Sequence, residues 1–312
     1  MTHGGSDGSR PTKNERREAA RAKARALREQ QRRAERRNRW IIQGGLVMVC
    51  LAIVAIVAIV IVNSIRPAAP GPRNMATDGI KIGQDLKAVT TPALSPGAAP
   101  SSTPTDQAEA DDPIAIRLYV DYQCPHCRDF ETANADQLAA WLNSGAATVE
   151  IHPIAILNNA SQGTQYSTRA ANAAACVADR SPDSFWAFNQ LLFANQPEEN
   201  TPGLPDSKLI ALTEEADVAN ASAIADCIRD GTFRSWVSDA TSRAVQGPVP
   251  DSNVARVIST PTVIVNGLEY PGAFTDADAF ASFVFQAEGN SFVNNPSPSP
   301  SPDPEAAPGP GN

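Results

Sequence analysis

Residues 119–127 read YVDYQCPHC, and two cysteines separated by two residues, Cys124 and Cys127, follow directly on the apolar run Ile114–Val120. The run has the composition of a β-strand, and residues 124–143 continue with apolar positions at helical spacing. The cysteine pair therefore lies where a strand passes into a helix. There, unpaired backbone N–H groups and the helix dipole favour a thiolate over a thiol. We predict a redox-active dithiol at this position.

The residues between the cysteines bear on how acidic the first thiol becomes. Pro125 suits the first turn of a helix, where a missing N–H costs nothing. The helix dipole contributes at most ~2 kcal/mol, and one pKa unit is about 1.36 kcal/mol, so the dipole lowers the pKa of Cys124 by about one unit. A more acidic thiol needs a second source, which we expect to be His126 hydrogen-bonding to the sulfur. A stabilised thiolate makes the disulfide a better oxidant.

The same cysteine spacing occurs in zinc sites, so a metal centre is the alternative. Structural zinc takes four ligands, usually as two close pairs. The other cysteines of the acidic region, Cys176 and Cys227, lie far from each other and from the motif. We therefore predict no metal and no cofactor beyond the cysteine pair itself. Cys176 and Cys227 are expected to form a structural disulfide between helices, and a second redox pair is the alternative.

The flanking patterns predict an α/β domain over residues 113–288. After the first strand and helix come a second strand at Thr148–Ile151, a helical region over 159–246 and a strand at Thr262–Val265. The pair Asn266-Gly267 predicts a tight hairpin turn, and a last helix follows. This order describes an α/β layer with an inserted helical subdomain.

The stretch YVDYQCPHC resembles the active site of the DsbA-like branch of the thioredoxin superfamily, and Thr260-Pro261-Thr262 resembles the second motif of that branch. The resemblance implies a thioredoxin-like fold with a helical insertion, in which Cys124 is the exposed nucleophile and Cys127 its buried partner. It also implies that Pro261 is cis and lies against the cysteine pair, with its flank offering backbone hydrogen bonds to an extended substrate. A membrane partner linked to quinone, which reoxidises the pair, is implied in the same way.

Two departures from the resemblance leave the direction of electron flow open. Some DsbA proteins carry an acidic residue six positions before the first cysteine, where this chain has Leu118. Thr260 precedes the proline, as it does in some disulfide isomerases and reductases. We expect a dithiol oxidase that introduces disulfides into reduced or misfolded exported proteins. The alternatives are an isomerase or reductase on the same fold, and a non-catalytic binding or holdase module with structural cysteines.

The first 39 residues differ in charge from the remainder. They carry thirteen Lys/Arg and five Asp/Glu, a net charge of +8, and the whole chain carries −8, so residues 40–312 carry −16. An acidic body argues against nucleic-acid binding by the domain. We predict that residues 1–39 form a basic cytoplasmic arm that lies against anionic lipid of the inner leaflet. RNA binding by the arm is the alternative.

An apolar segment follows the arm. Residues 41–62 contain no charged side chain, and fourteen of these 22 residues are Ile, Val or Leu. A bilayer core needs about 20 apolar residues, so we predict a transmembrane helix over residues 40–63. A cleaved signal peptide is the alternative, but its apolar stretch is usually about 7–15 residues long. The basic residues before the helix keep the N-terminus in the cytoplasm, so the domain is extracytoplasmic, where disulfides persist.

The segments on either side of the domain are rich in Pro, Ala and Ser. Residues 64–112 are predicted to be a linker that contains a candidate edge strand at 79–83. Residues 289–312 are predicted to be a disordered Pro/Ser-rich tail. The predicted folded part is therefore a little over half of the chain.

Overall fold

The computed structural model describes residues 70–100 and 113–294, together with residues 23, 45, 48 and 50–56 near the N-terminus. The chain divides into two units, Met1–Pro67 and Ala68–Asn312. In the first unit the described residues are helical, and among all described residues no helix combines the length and apolar character needed to cross a bilayer. The predicted basic arm and most of the predicted membrane helix lie outside the described residues.

Strands of the described chain form one mixed sheet in the second unit. They are β1 (Ile80–Ile82), β2 (Ile114–Val120), β3 (Ala147–Pro153), β4 (Thr262–Val265) and β5 (Leu268–Glu269). Their order across the sheet is β1-β3-β2-β4-β5, and only β2 and β3 are parallel neighbours. Parallel strands need a crossover connection, and the helix that begins at the cysteine pair provides it.

Helices cover the sheet and form the insertion. They are α1 (Pro125–Ser144), α2 (Tyr166–Arg180), α3 (Phe185–Ala194), α4 (Asp206–Glu215), α5 (Ala221–Asp230), α6 (Arg234–Gln246) and α7 (Ala277–Asn294). Helix α1 connects β2 to β3, and helices α2–α6 all lie between β3 and β4 in the chain. The protein therefore has a thioredoxin-like α/β fold with an inserted group of helices.

Helix α7 is longer than the sequence pattern predicts. It continues to Asn294, through the first residues of the segment predicted as a tail. The first proline of that segment is Pro296. A helix usually ends at or before the residue that precedes a proline. Residues 289–294 contain no proline, so the helix can continue through them.

Residues 70–100 of the predicted linker, the part that the structure describes, pack onto the domain, and the edge strand expected at 79–83 is present as β1. Strand β1 pairs antiparallel with β3, and Met75 just before it is completely buried. Asn74 donates from its side-chain amide to the carbonyl oxygen of Ala178 at 2.8 Å, and the guanidinium of Arg73 lies 3.1 Å from the carboxylate of Asp179. These few residues anchor a segment whose average composition is that of a linker, so composition alone misjudged it.

A disulfide bond joins two helices of the insertion. Cys176 on α2 and Cys227 on α5 are bonded, with both residues buried. This is the pairing expected for a structural disulfide, and it holds together segments that are 51 positions apart in the chain. The bond also removes these two sulfurs from any role as metal ligands beside the other cysteine pair.

Candidate active site

Cys124 is the residue immediately before helix α1. Its backbone is extended, with φ −78° and ψ 118°, and Pro125 occupies the first position of the helix. The carbonyl oxygen of Cys124 accepts hydrogen bonds from the backbone N–H groups of Cys127 and Arg128 at 3.1 and 3.3 Å. The cysteine pair therefore spans the first turn of the helix, where N–H groups without helical partners surround the first sulfur.

The register of the sheet brings a distant loop to this turn. Strand β4 pairs with β2 so that Thr262 lies opposite Tyr119, near the end of β2. The preceding peptide bond, Thr260-Pro261, is cis. In its thiol form Cys124 donates a hydrogen bond from its sulfur to the carbonyl oxygen of Thr260, with the two atoms 3.0 Å apart. The cis geometry that the resemblance implied for Pro261 is present, and the contact with Cys124 is made by the preceding residue, Thr260.

The surroundings of Cys124 lower the pKa of its thiol from 9.0 to about 6. The largest cause is a hydrogen bond from the side chain of Cys127. Burial opposes it, while the Thr260 side chain and the backbone N–H groups of Cys127 and His126 add to the lowering. Cys124 is thus poised to be a thiolate at neutral pH, because several donors converge on its sulfur.

Cys127 has the opposite character. Burial raises its pKa well above 9.0, and the neighbouring Cys124 raises it further. Its side chain is completely buried, whereas Cys124 retains 5% of its surface exposed. Two sulfurs in contact therefore differ in acidity and in access, the first being the nucleophile and the second a protonated hydrogen-bond donor.

The side chain of His126 does not supply the stabilisation that we expected from it. It is 73% exposed, and its Nδ1 lies 3.7 Å from the carboxylate of Asp129. The contribution of His126 to the pKa of Cys124 comes from its backbone N–H instead. The reason is geometric, since the imidazole at this position of the first turn points into solvent, while the thiol of Cys127 reaches the sulfur.

A buried polar network lies on the inner side of the helix. Glu131, one turn after Cys127 on α1, accepts hydrogen bonds from the side-chain amides of Asn189 at 3.0 Å and Gln190 at 2.7 Å. The hydroxyl of Tyr122 donates to Asn189 at 3.0 Å. Burial raises the pKa of Glu131. Leu118, which stands where some DsbA proteins have an acidic residue, is part of the apolar core. Glu131 is a different buried acid near the site, and the sequence analysis did not identify it.

The helical insertion also contacts the site directly. Gln196, two residues after α3, donates from its side-chain amide to the carbonyl oxygen of Cys124 at 2.9 Å. The side chain of Gln123 donates to the carbonyl oxygen of Ala160 at 2.9 Å, and the same oxygen accepts the N–H of Asn200 at 2.7 Å. Gln196 therefore ties the loop at 195–200 to the active-site turn directly, whereas Asn200 is linked to it only through the Ala160 carbonyl that it shares with Gln123. No local sequence pattern marks Gln196 for this contact.

Comparison with protein families matches residues 107–283, more than half of the chain, to the family described as thioredoxin. The matched range contains Cys124, Cys127 and the Thr260-Pro261-Thr262 stretch. It also contains the helical insertion.

The solved structures that are similar in fold include the following two. The reduced form of a disulfide bond oxidoreductase (DsbG) from Mycobacterium tuberculosis is 27% identical, with a TM-score of 0.50, over 71% of this chain and 95% of that chain. The oxidised form of BdbD from Bacillus subtilis is 19% identical, with a TM-score of 0.51, over 72% of this chain and 100% of that chain. At its lower identity, the second similarity shows the fold alone.

One curated sequence relative is named as an ion antiporter and not as a disulfide oxidoreductase. The Na(+)/H(+) antiporter NhaA 3 of Salinispora tropica is 25% identical over 181 residues, which are 56% of this chain and 23% of the antiporter. The chain thus spans less than a quarter of the length of the curated relatives that it matches. The similarity concerns a segment of domain size.

Proposed function

Because this chain belongs to the thioredoxin family, we propose that it is a thiol–disulfide oxidoreductase whose redox group is the Cys124/Cys127 pair. The observation that carries the proposal is the asymmetry of the two sulfurs. Cys124 has a pKa of about 6 and keeps 5% of its surface exposed at the start of α1, so it is buried rather than exposed as the resemblance implied, while Cys127 beside it is completely buried and its pKa is raised. A nucleophilic thiolate with a second thiol in contact is the arrangement that disulfide exchange requires.

The reaction follows from this geometry. With the pair oxidised, a substrate thiolate attacks the sulfur of Cys124, and the Cys124–Cys127 bond breaks. Cys127 leaves as a thiolate and takes up a proton, because its burial disfavours the charged form. A second substrate thiol, after losing its proton, attacks the substrate sulfur of the mixed disulfide and releases Cys124 as a thiolate. Two electrons pass from the substrate to the protein, and one disulfide replaces the other.

We infer that the net direction is oxidation of exported proteins. The lowered pKa of Cys124 stabilises the reduced protein and so makes the disulfide an oxidant. A thiol pKa of about 6 lies between the about 7 of thioredoxin and the about 3.5 of DsbA. Similarity to a DsbG described as a disulfide bond oxidoreductase supports the chemistry and leaves its direction to experiment.

Equilibration of the full-length protein with glutathione buffers tests the direction. We expect a potential well above the about −270 mV of thioredoxin, because the thiolate of Cys124 is stabilised in the reduced form. A potential at or below the thioredoxin value would contradict the oxidase. Such a low potential would instead support the second candidate, an isomerase or reductase. The presence of Thr260 before Pro261 is the feature that favours this candidate.

One variant distinguishes a non-catalytic holdase from both oxidoreductase candidates, the oxidase and the isomerase or reductase. Cys124→Ala removes the nucleophile and leaves the fold and surface otherwise unchanged. A holdase keeps its effect on the recovery of secreted disulfide-containing proteins, whereas an oxidoreductase loses it. Cys50→Ala, which removes a sulfur distant in sequence from the motif, is the matched control.

We further propose that the protein is anchored by residues 40–63, with a cytoplasmic arm at 1–39 on inner-leaflet lipid and an extracytoplasmic domain. The net charge of +8 in residues 1–39, followed by an apolar segment without charged side chains, supports this arrangement. A quinone-linked membrane partner would then reoxidise the pair. Alkylation of Cys124 in intact cells by a membrane-impermeant maleimide tests the topology, and labelling only after lysis would contradict it.

A further inference from the structure

The two loops that contact Cys124 present different surfaces to a substrate. One is the loop at 257–262, whose Thr260 carbonyl accepts from the sulfur of Cys124. The other is the loop at 195–200, whose Gln196 amide donates to the carbonyl oxygen of Cys124. The first loop thus contacts the sulfur of Cys124 and the second contacts its backbone, so a peptide that reacts at Cys124 comes close to both. We call the loop at 257–262 the first flank of the site and the loop at 195–200 the second flank.

The first flank exposes an apolar side chain. Ile258 is 78% exposed, more than any other large apolar side chain of the described residues, although Val257 before it and Thr260 after it are buried. The loop is fixed by hydrogen bonds from the N–H of Val257 to the Ala244 carbonyl and from the Thr262 hydroxyl to the Ser259 carbonyl. Ile258 is therefore held in solvent within about 8 Å of Thr260 along the chain.

The second flank exposes two carboxylates. Glu198 and Glu199 lie in the chain between Gln196, which hydrogen-bonds to the carbonyl oxygen of Cys124, and Asn200, whose N–H hydrogen-bonds to the carbonyl oxygen of Ala160. Both glutamates are exposed, and neither takes part in a salt bridge among the described residues. Arg169, which contacts the same loop region at Pro202, is already paired with Asp206 at 2.8 Å. The negative charge of this flank is thus available to a ligand.

We propose that the preferred substrate segments carry a basic side chain on one side of the reacting cysteine and an apolar side chain on the other. An extended peptide advances about 3.4 Å per residue, so side chains two or three positions from the cysteine reach either flank. Arg256 is also exposed two positions before Ile258, and its positive charge disfavours a basic substrate residue close to Ile258. This inference rests on the proposed function and adds the substrate class to it.

Single-cysteine peptides activated as mixed disulfides with thionitrobenzoate test the proposal on the reduced full-length protein in detergent. The thiolate of Cys124 attacks the peptide sulfur, a new disulfide forms, and the coloured thionitrobenzoate anion leaves. Cys127 then releases the peptide as a thiol and closes the protein disulfide. The rate of colour release gives a second-order rate constant for each peptide. Peptides with lysine and leucine on opposite sides, in both orders, are compared with glutamate and serine replacements.

We expect the better lysine–leucine peptide to react about tenfold faster than its glutamate–serine counterpart at low salt, and the difference to shrink as salt is added. Glu198→Gln with Glu199→Gln should reduce the lysine preference to less than twofold, while the control pair Glu214→Gln with Glu215→Gln on α4 keeps it. Ile258→Ser should remove the leucine preference, and Val89→Ser, another exposed apolar residue, should keep it.

Equal rate constants for all peptides would overturn the proposal, as would preferences that survive both sets of loop changes. Reaction of the parent protein with oxidised glutathione is measured in parallel. A protein that reacts with glutathione disulfide but does not discriminate peptides retains the proposed function without this selectivity. A protein that reacts with neither has lost the proposed function itself.

Discussion

The sulfur of Cys124 lies 3.0 Å from the carbonyl oxygen of Thr260, although the two residues are 136 positions apart. The contact exists because β4 pairs with β2, so the residues before β4 meet the residues after β2. It places a nucleophile beside a backbone segment that a substrate can contact. The chemistry and the recognition of the substrate are therefore fixed by the same strand pairing.

The first prediction concerns the titration of Cys124. The alkylation rate of the reduced protein by iodoacetamide should rise with pH around a midpoint of about 6. Because the largest cause is the hydrogen bond from Cys127, Cys127→Ala should move the midpoint upward, toward 9.0. The isolated change His126→Ala should move it little, since the imidazole is largely exposed. An unchanged midpoint in Cys127→Ala would contradict this assignment.

The second prediction concerns the hydroxyl of Thr260. It is buried and has no hydrogen-bond partner among the described residues, and its position beside both sulfurs lowers the pKa of each. Thr260→Val keeps the shape and removes the hydroxyl, so the midpoint of Cys124 should rise, by less than in Cys127→Ala. Thr213→Val removes a buried hydroxyl on α4 and serves as the control. A fall in the midpoint would show that the hydroxyl opposes the thiolate.

Sequence patterns located those parts of the site that depend on neighbours in the chain. The strand run before Cys124 and the helical periodicity after it are local, so the start of α1 was predicted within one residue. Gln196 and Glu131 are different. Their roles depend on how the helical insertion docks against α1, and nothing in the flanking residues encodes that orientation. The anchoring of Met75 was missed because one buried residue does not alter the average composition of its segment.

The third prediction concerns the disulfide between Cys176 and Cys227. Replacing both by alanine frees a loop with a sequence separation of 51, which costs about 4 kcal/mol of unfolding free energy in the chain-entropy model. For a chain of this size, that loss lowers the Tm by roughly 10 °C. The midpoint for Cys124 should stay the same, because neither sulfur contacts the site. Thermal unfolding followed by circular dichroism measures the change, and a Tm within about 2 °C of the parent would exclude a stabilising role.

The last prediction concerns the buried carboxyl of Glu131. Its pKa is raised by burial, although the amides of Asn189 and Gln190 oppose the rise. An acid whose pKa is higher in the folded than in the unfolded protein binds its proton more tightly when folded. Its contribution to stability is therefore complete at low pH and is lost as the pH rises through the folded-state pKa. Glu131→Gln cannot ionise, so it should lose less unfolding free energy than the parent between pH 5 and pH 8.

Urea unfolding of the reduced proteins at several pH values measures this difference in slope. Glu214→Gln, which removes an exposed carboxylate on α4, controls for the change in net charge and should follow the parent. A parent whose stability rises more steeply with pH than that of Glu131→Gln would mean that the fold lowers the pKa of this carboxyl instead of raising it. Its hydrogen bonds would then outweigh its burial.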